Sequence, residues 1–478
     1  MLSRKEIAIV GSGAAGIAAL WTLHNHSPHK VHLYEATSRL GGHINTVPFA
    51  KGKDSVNVDT GFIVLNSSTY PNFLNFLQTI NVPTMPSEMS FSVSRSSESG
   101  VFEWAGSSLS NLFAQRKNIF SLSMWRMLFD MIRFNHFAPD LLRLPDEDNT
   151  ITIGEYLEKE GYSACFRDNY LIPLTASTWS TSPEKCNMHF PAVTLIRFLY
   201  NHNLLNTLGH GLQWLSIANG AKSYVDVVMA NFPSERVHLN QPVTSIANDT
   251  HTGKVHLTTA VGTTTYDHII LATPAPDALS MISISATPAE HAILSSFQTT
   301  TNTAVMHSDE TLLPSNRNIW STWNYLSTGS TDQVCVTYSM NKAHGAPHSR
   351  YGSILVTMNP LSMPDERTIQ GVYHYEHPMF TTDAVKAQTL LPTIQGTRGI
   401  SYAGAWTMYG FHEDAFTSAF EVAARLDAKV PFPVEASRLR GGLVREVSWW
   451  EYVFRLVLRG IQMVILWWVG AKIGLKQS

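Results

Sequence analysis

The chain has 478 residues, of which 44% are hydrophobic and 15% charged, and a formal net charge of −3. That length exceeds one ordinary domain and suits two interleaved domains around a large core, while the near-neutral balance supplies no global field for nucleic acid. Cys165, Cys186 and Cys335 are too few and too scattered for a disulfide framework or a zinc site, so no metal is expected.

The first element begins about five residues from Met1, which leaves no room for a signal peptide and predicts a body facing the cytosol. Glu6-Ile7-Ala8-Ile9-Val10 reads as a buried parallel strand. Gly11-Ser12-Gly13-Ala14-Ala15-Gly16 follows it. Gly11 allows a tight turn, Gly13 lets backbone approach a pyrophosphate, and Gly16 lets the next helix pack on the strand. The helix from Ala14 to His24, with Ala15 in its first turn, aims its N–H groups and positive dipole end at the phosphates. Val31-His32-Leu33-Tyr34 is the next strand, and Glu35, beside Ala36, stands about 20 residues beyond the loop, where a carboxylate accepts ribose hydroxyls. Alone the glycine loop indicates only a dinucleotide. Arg39 and the second pair Gly41-Gly42, followed by His43, select FAD over NAD, because they permit backbone approach to the pyrophosphate and ribityl chain with a nearby cation. Thr60-Gly61-Phe62, after Asp59, makes a further close approach beneath the flavin ring.

The remaining chain alternates between two kinds of segment. Residues 1–79 and 211–280 read as nucleotide-binding pieces, 80–210 and 281–395 as a substrate domain, and 396–430 as the last FAD-binding piece. Within 80–210, a Ser-rich hairpin spans Phe91 to Trp104. Met124 to Leu144 forms an amphipathic helix facing the core or a membrane. Gly220 to Tyr224 opens a helix, and Arg236 to Leu239 is a strand. Pro242 to Ile246 starts a meander that ends in His268-Ile269-Ile270-Leu271-Ala272-Thr273-Pro274; likeness to flavoproteins of this build implies that the backbone near Val243 contacts adenine. Val334 to Tyr338 and Ile354 to Thr357 are strands of the substrate domain. Gly399 to Ala403 is the last buried strand. Gly404 then lets the chain run along the ribityl, and a helix from Asp414 to Leu426 aims its N-terminus at the flavin carbonyl edge. Phe411, His412 and Glu413 sit at that cap. His412 and Glu413 are candidates for moving a proton, with helix capping by this segment as the competing role.

Gly41-Gly42-His43-Ile44-Asn45-Thr46-Val47, Asp59-Thr60-Gly61-Phe62-Ile63-Val64, Trp320 to Tyr325, His377-Pro378-Met379-Phe380 and Gly410-Phe411-His412-Glu413-Asp414 resemble the flavin-containing amine oxidoreductase superfamily. More narrowly they resemble its bacterial and fungal "predicted NAD/FAD-binding protein" branch, over about residues 5–428. The resemblance implies an α/β fold: an FAD-binding Rossmann-like domain of the glutathione-reductase type with an interleaved α+β substrate domain. It also implies a link to cyclopropane- or methyl-fatty-acid synthesis, including desaturation of an acyl chain. The wider superfamily includes amine oxidases, carotenoid desaturases, protoporphyrinogen oxidase and a fatty-acid double-bond isomerase. Three positions depart from the pattern. Ala405 stands where an acid usually binds the ribityl hydroxyls, His43 replaces an arginine, and Asn341-Lys342-Ala343-His344 diverges from Asn-x-Leu-Gln. No residue takes the place of the active-site lysine of amine oxidases, and no cysteine lies near the flavin segments, so FAD is expected to be non-covalent.

The tail, 436–478, is nearly all apolar from Tyr452 to Val469, with Glu451, Arg455, Arg459 and Gln462 forming one polar stripe at helical spacing. The unbroken run from Met463 to Val469 falls short of the ~20 residues that span a bilayer. Trp449, Trp450, Trp467 and Trp468 suit the headgroup region, and Arg438, Arg440, Arg445, Arg455, Arg459, Lys472 and Lys476 favour an anionic leaflet. The tail therefore reads as an amphipathic in-plane anchor on the cytoplasmic face of a membrane, with packing on the body or a partner as the other reading. Together these features predict an FAD-dependent enzyme that takes hydride from a lipophilic substrate such as a fatty acyl chain onto flavin N5, with dioxygen or another acceptor reoxidising the ring. Trp179, Trp323, Tyr325, Tyr338 and Trp406 are the candidate pocket walls. A peroxide-producing oxidase of amines or secondary metabolites and a redox-neutral double-bond isomerase remain open beside it.

Overall fold

The computed structural model describes residues 4–97, 100–143, 151–179, 190–202, 204–205, 213–328, 335–435, 444 and 446–477. Cys186, Arg438, Arg440 and Arg445 lie outside the described residues, as do the side chains of Trp179, Trp468, Lys472 and Lys476.

Five parallel strands carry the glycine loops, in the order Val237–His238, Lys30–Tyr34, Glu6–Val10, His268–Leu271 and Ile400–Tyr402. Ile7-Ala8-Ile9 and Ile269-Ile270-Leu271 are wholly buried, as unbroken apolar runs in a parallel sheet covered on both faces must be. On one face lie helix α1 (Ala14–His26) and helix α2 (Pro71–Thr79). There Ile17, Leu20 and Trp21 meet Phe73 and Phe76 in one cluster with Phe416 and Phe420. On the other face sits the expected meander, Val243–Asn248, Val255–Thr259 and Gly262–Tyr266. Helices Ala275–Ile282, Pro288–Leu294 and Thr382–Leu390 flank it. Ile293, Phe297, Ala384 and Leu391 share a buried cluster with Leu271 and Tyr402. Residues 281–297 and 381–395, read from sequence as substrate domain, thus pack on the nucleotide-binding sheet, because their apolar stripes match its back face.

The second body is a seven-stranded sheet in the order Gly371–Met379, Gln298–His307, Leu355–Met358, Cys335–Ser339, Trp323–Thr328, Phe91–Ser97 and Gly100–Ala105. Only Trp323–Thr328 and Phe91–Ser97 pair in parallel. Alternation places Val93, Trp104, Tyr325, Val336, Tyr338, Val356 and Met306 on one face. That face packs on helix α3 (Leu122–Phe137) and on the helices Ile153–Lys159 and Ala192–Asn201. The opposite face carries a buried polar chain: Ser92 Oγ donates to Asn324 Oδ1 at 2.8 Å, Asn324 Nδ2 to the Thr337 carbonyl at 3.0 Å, and Thr337 Oγ1 meets Thr357 Oγ1 at 2.8 Å. Helix α3 resolves the two readings of Met124 to Leu144 in favour of the core for its Met124, Met127 and Phe134 side; Leu122 and Trp125 stay exposed.

Helix α4 (His412–Arg425) begins two residues before the expected Asp414. Asp414 lies inside the first turn and reaches back, its Oδ2 accepting the Phe411 N–H at 2.9 Å and the Tyr409 N–H at 3.2 Å. Helix α5 (Trp449–Gln477) closes the chain. Among the described residues no helix is long and apolar enough to cross a membrane.

Candidate flavin site

Because the five central strands are parallel, Gly11, Ala272 and Gly404 emerge at the same carboxyl edge, the crevice where α/β sheets bind ligands. Gly11 has φ +98°, and a Cβ there would lie 2.7 Å from the Ala272 carbonyl oxygen. A Cβ at Gly16 would collide with the Gly11 carbonyl oxygen, so α1 leaves the strand closely only with glycine there. Gly13 is the N-cap of α1 and supplies no side-chain cap; a Cβ on it meets nothing within 4 Å. The first turn of α1, with Ala14 and Ala15, therefore offers uncapped N–H groups toward open space. Opposite it stands Gly42, in the left-handed region, whose Cβ would come within 3.3 Å of Gly13 Cα.

The acid and the second glycine pair are joined to this loop. Glu35 Oε2 accepts from Ser12 Oγ at 2.5 Å and Oε1 from Thr37 Oγ1 at 2.8 Å. Gly41 N–H donates to Ser12 O at 3.1 Å. Arg39, expected as a nearby counter-charge, places its guanidinium on the carbonyls of Leu40 at 3.1 Å, Ile44 at 3.0 Å and Gly42 at 2.6 Å, clamping the double-glycine turn. Ala36 is exposed. The Gln241 N–H bonds the Glu35 carbonyl at 3.0 Å, which draws the start of the Val243 strand to the acid; Val243 itself is buried beside Tyr34.

Farther along the crevice, His43, Thr60, Gly61 and Phe62 come together with Asn45 and His377, quoted above only as parts of family motifs, and with Tyr375, which sequence reading did not select. His43 stacks on Tyr375, ring centroids 5.1 Å apart, and lies 5.2 Å from the ring of His377. Tyr375 Oη meets Thr60 Oγ1 at 2.6 Å and accepts from Asn45 Nδ2 at 3.0 Å. A Cβ at Gly61 would strike the His43 carbonyl oxygen. Tyr373, Tyr375 and His377 alternate along the strand Gly371–Met379, and that period of two was the available signal. Burial pushes His43 down to about 4, with the Arg39 charge adding to it, and His377 down to about 3, with His43 adding. Both rings are neutral at pH 7, and His43 Nε2 is buried without a partner.

The Gly410 to Asp414 motif joins the same crevice to α2. His412 stacks on Phe62 at 3.8 Å, and its Nε2 pairs with Tyr224 Oη at 2.7 Å. Burial lowers its pKa to about 3. Glu413 Oε1 and Oε2 accept the N–H groups of Asn72 at 3.0 Å and Phe73 at 2.9 Å. It thereby caps α2 from a residue 340 positions away, while burial pushes its pKa up to about 8. These contacts hold Phe62 through His412 and the first turn of α2 through Glu413, the positioning that sequence weighed beside proton transfer. Phe411 stacks on Phe198 at 5.1 Å, and Gly404 N–H donates to Ser418 Oγ at 3.0 Å.

Of the pocket candidates, Trp323, Tyr325 and Tyr338 share the apolar face of the seven-stranded sheet, Trp323 edge-on to Tyr338 at 5.2 Å. Trp406 does not join them. Its Nε1 donates to the Thr273 carbonyl at 3.0 Å and its ring meets Phe297 at 4.7 Å, inside the cluster behind the parallel sheet. Trp179 ends the helix Ile172–Trp179. Lys342 is paired with Glu88 at 3.0 Å near the surface.

The residues fit FAD: an uncapped helix start faces open space at Gly13, two glycine turns approach each other across it, and a buried, unpartnered imidazole nitrogen stands beside the second turn. A dinucleotide-binding sheet with a second, long-reaching cofactor loop defines the class as a flavoprotein. The family description "Flavin containing amine oxidoreductase" matches residues 14–427. The chain belongs to that family, and it is an FAD-dependent oxidoreductase. No curated protein sequence matches it significantly. Solved structures similar to it include cyclohexylamine oxidase from Brevibacterium oxydans IH-35A, at 15% identity and TM-score 0.63 over 89% of this chain and all of that one. A CLA-producing fatty acid isomerase from P. acnes aligns at 14% identity and TM-score 0.61, over 88% of this chain and 98% of that one. Putrescine oxidase bound to putrescine aligns at 15% identity and TM-score 0.57, over 89% of this chain and 100% of that one. At such identities the likeness is one of fold.

Proposed function

We propose that the protein dehydrogenates a lipophilic substrate such as a fatty acyl chain, removing two hydrogens from adjacent carbons to leave a double bond. The observation that carries the reading is the apolar aromatic face of Trp323, Tyr325 and Tyr338, continued by Met358, Phe380 and Met408. This face runs up to the cofactor loop: a Cβ at Gly410 would lie 3.0 Å from the Phe380 ring and 3.3 Å from Pro378. FAD, when bound, supplies the two-electron acceptor for hydride. In this assignment Gly11, Gly13, Ala14, Ala15 and Gly16 cradle the pyrophosphate, and Glu35 with Ala36 and Val243 takes the adenosine. Gly41, Gly42 and His43 with Thr60, Gly61, Phe62 and Gly404 line the flavin side. The aromatic face excludes water and aligns the chain, as an apolar wall orients an apolar substrate. Lys342 is paired with Glu88 at 3.0 Å and so does not stand in that wall as an amine-oxidase lysine.

The experiment is product analysis by mass spectrometry after incubating the FAD-loaded protein with cellular lipid in air. A product two mass units lighter supports the proposal. An acyl product of unchanged mass with a moved double bond replaces it with isomerisation. Turnover confined to a soluble amine panel, with peroxide release, replaces it with amine oxidation.

A further inference from the structure

The polarity of α5 is inverted relative to a helix on a water-facing surface. Of its polar stripe, Glu451, Arg455 and Gln462 turn to the protein while Arg459 is exposed: Arg455 binds both oxygens of Asp140 at 2.9 Å and Glu451 at 3.3 Å, and Gln462 Nε2 reaches the Gly161 carbonyl at 3.4 Å. Arg455 is 9% exposed and Gln462 7%. Outward stand Trp449, Trp450 and Tyr452 at one end and Met463, Val464 and Trp467 at the other, all half or more exposed. Among residues 449–467 the one exposed charged side chain is Arg459.

Helix α5 runs antiparallel to α3. Its start meets the end of α3 through Glu451 and His136, 3.4 Å apart. Farther along, Gln462 shares the Gly161 carbonyl with Arg126, near the start of α3. That start is itself an apolar outcrop, with Phe120 88%, Leu122 75% and Trp125 51% exposed. Exposed Arg116 and Lys117 precede it.

We propose that this flank, the outward side of α5 plus Phe120, Leu122 and Trp125, docks in the plane of an anionic lipid bilayer. Exposed large apolar side chains gathered on the two packed helices mark an interaction site. Three features select lipid as its occupant. The tryptophans at residues 449 and 467 lie about 27 Å apart along the helix, so a helix lying flat sets aromatic groups at headgroup depth at both ends. The acids Glu451 and Asp140 are turned inward onto Arg455, while Arg459, Arg116 and Lys117 remain for anionic headgroups. A spanning orientation would strip Arg455 and Gln462 from their partners on the body. The other side of α3 contributes Met124, Met127 and Phe134 to the cluster that holds Tyr325 and Tyr338, so one helix separates the docking face from the proposed substrate face. The docking proposal stands on the flank alone and does not require the acyl-chain reading.

The test uses the full-length, FAD-loaded protein with vesicles of phosphatidylcholine, with and without phosphatidylglycerol, read by co-sedimentation and by tryptophan quenching from chain-brominated lipid. Two variants probe the two halves: Phe120→Ser with Trp125→Ser, and Met463→Asp with Val464→Ser. Circular dichroism and the flavin spectrum confirm that both fold. Tight binding to the anionic vesicles, tryptophan quenching, and a loss of partitioning on the order of tenfold in each variant support the proposal. Protein that stays in the supernatant overturns it. So does wild-type binding by the Phe120/Trp125 variant, or a dimer in solution that anionic vesicles leave intact and both variants abolish, which would assign the flank to a second copy of the chain.

Discussion

Replacing Glu413 by Gln separates a positioning role from a catalytic one. In the structure each carboxylate oxygen accepts one backbone N–H from the first turn of α2, Asn72 at 3.0 Å and Phe73 at 2.9 Å. Tyr70, the N-cap of that helix, supplies no side-chain cap. Glutamine keeps one acceptor and turns an NH₂ toward the other donor, so one buried N–H loses its partner at a cost of about 1–3 kcal/mol. Alanine removes both acceptors and costs roughly twice as much, less whatever is recovered from no longer burying the carboxyl. The pH dependence has a definite sign. Burial raises the folded-state pKa from 4.5 to about 8, so the native state holds a proton that the unfolded state has lost. The contribution of Glu413 is full below about 4.5 and declines as pH rises through 8. Glutamine lacks that slope, so the advantage of wild type over the variant shrinks between pH 5 and 8. The assay is thermal unfolding followed by circular dichroism and flavin release at several pH values, alongside kcat/KM. A lowered melting temperature with kcat/KM within about threefold of wild type fits a cap. A loss of about 100-fold or more in kcat with unchanged melting would mark a proton-transfer residue and refute the reasoning.

Further outcomes follow from the same geometry. Gly13→Ala leaves folding intact, because its Cβ meets no protein atom, but weakens FAD binding by on the order of tenfold or more in a fluorescence titration; unchanged affinity would remove Gly13 from the cofactor cradle. Gly16→Ala drives a methyl into the Gly11 carbonyl oxygen, so it lowers soluble yield and melting temperature before any cofactor effect is read. Trp323→Phe removes a buried, unpartnered Nε1, so stability holds or rises while KM changes. Trp406→Phe loses the Thr273 bond at about 0.5–1.5 kcal/mol and leaves KM alone. Last, His43, His202, His268 and His307 are held by burial near 4, and His377 and His412 near 3. Their contribution is present above the unfolded value of 6.5 and is lost as pH falls through 4; a melting temperature that rises on acidification across that window would contradict these assignments.

Local chemistry made the nucleotide-binding piece readable. Strand, glycine turn, helix and acid fall within 35 residues, and each position has a backbone reason visible in the residue itself. The second glycine pair and the motif at 410–414 were legible for the same reason. What the sequence hid depends on partners far away in the chain. Thr46 and Asp59 cap the helix Lys222–Ala230, with the Lys222 N–H donating to Thr46 at 2.8 Å and the Ala221 N–H to Asp59 at 2.9 Å. Glu413 caps α2 in the same manner. No local pattern announces either pairing. Trp406 was misassigned because an aromatic next to a cofactor loop reads alike whether it faces the ligand or the sheet behind it. The stripe of Glu451, Arg455, Arg459 and Gln462 was visible, yet its direction was not: periodicity gives a face, and only packing turns Arg455 and Gln462 inward and leaves Arg459 exposed.

The measurement that tests the central claim most directly is the visible spectrum of the FAD-loaded protein under anaerobic conditions, before and after adding a cellular lipid extract and, separately, a polyamine panel. The account predicts that lipid bleaches the oxidised flavin bands and polyamines leave them unchanged. Bleaching by polyamines alone would contradict it, and so would a purified protein that neither carries nor takes up flavin.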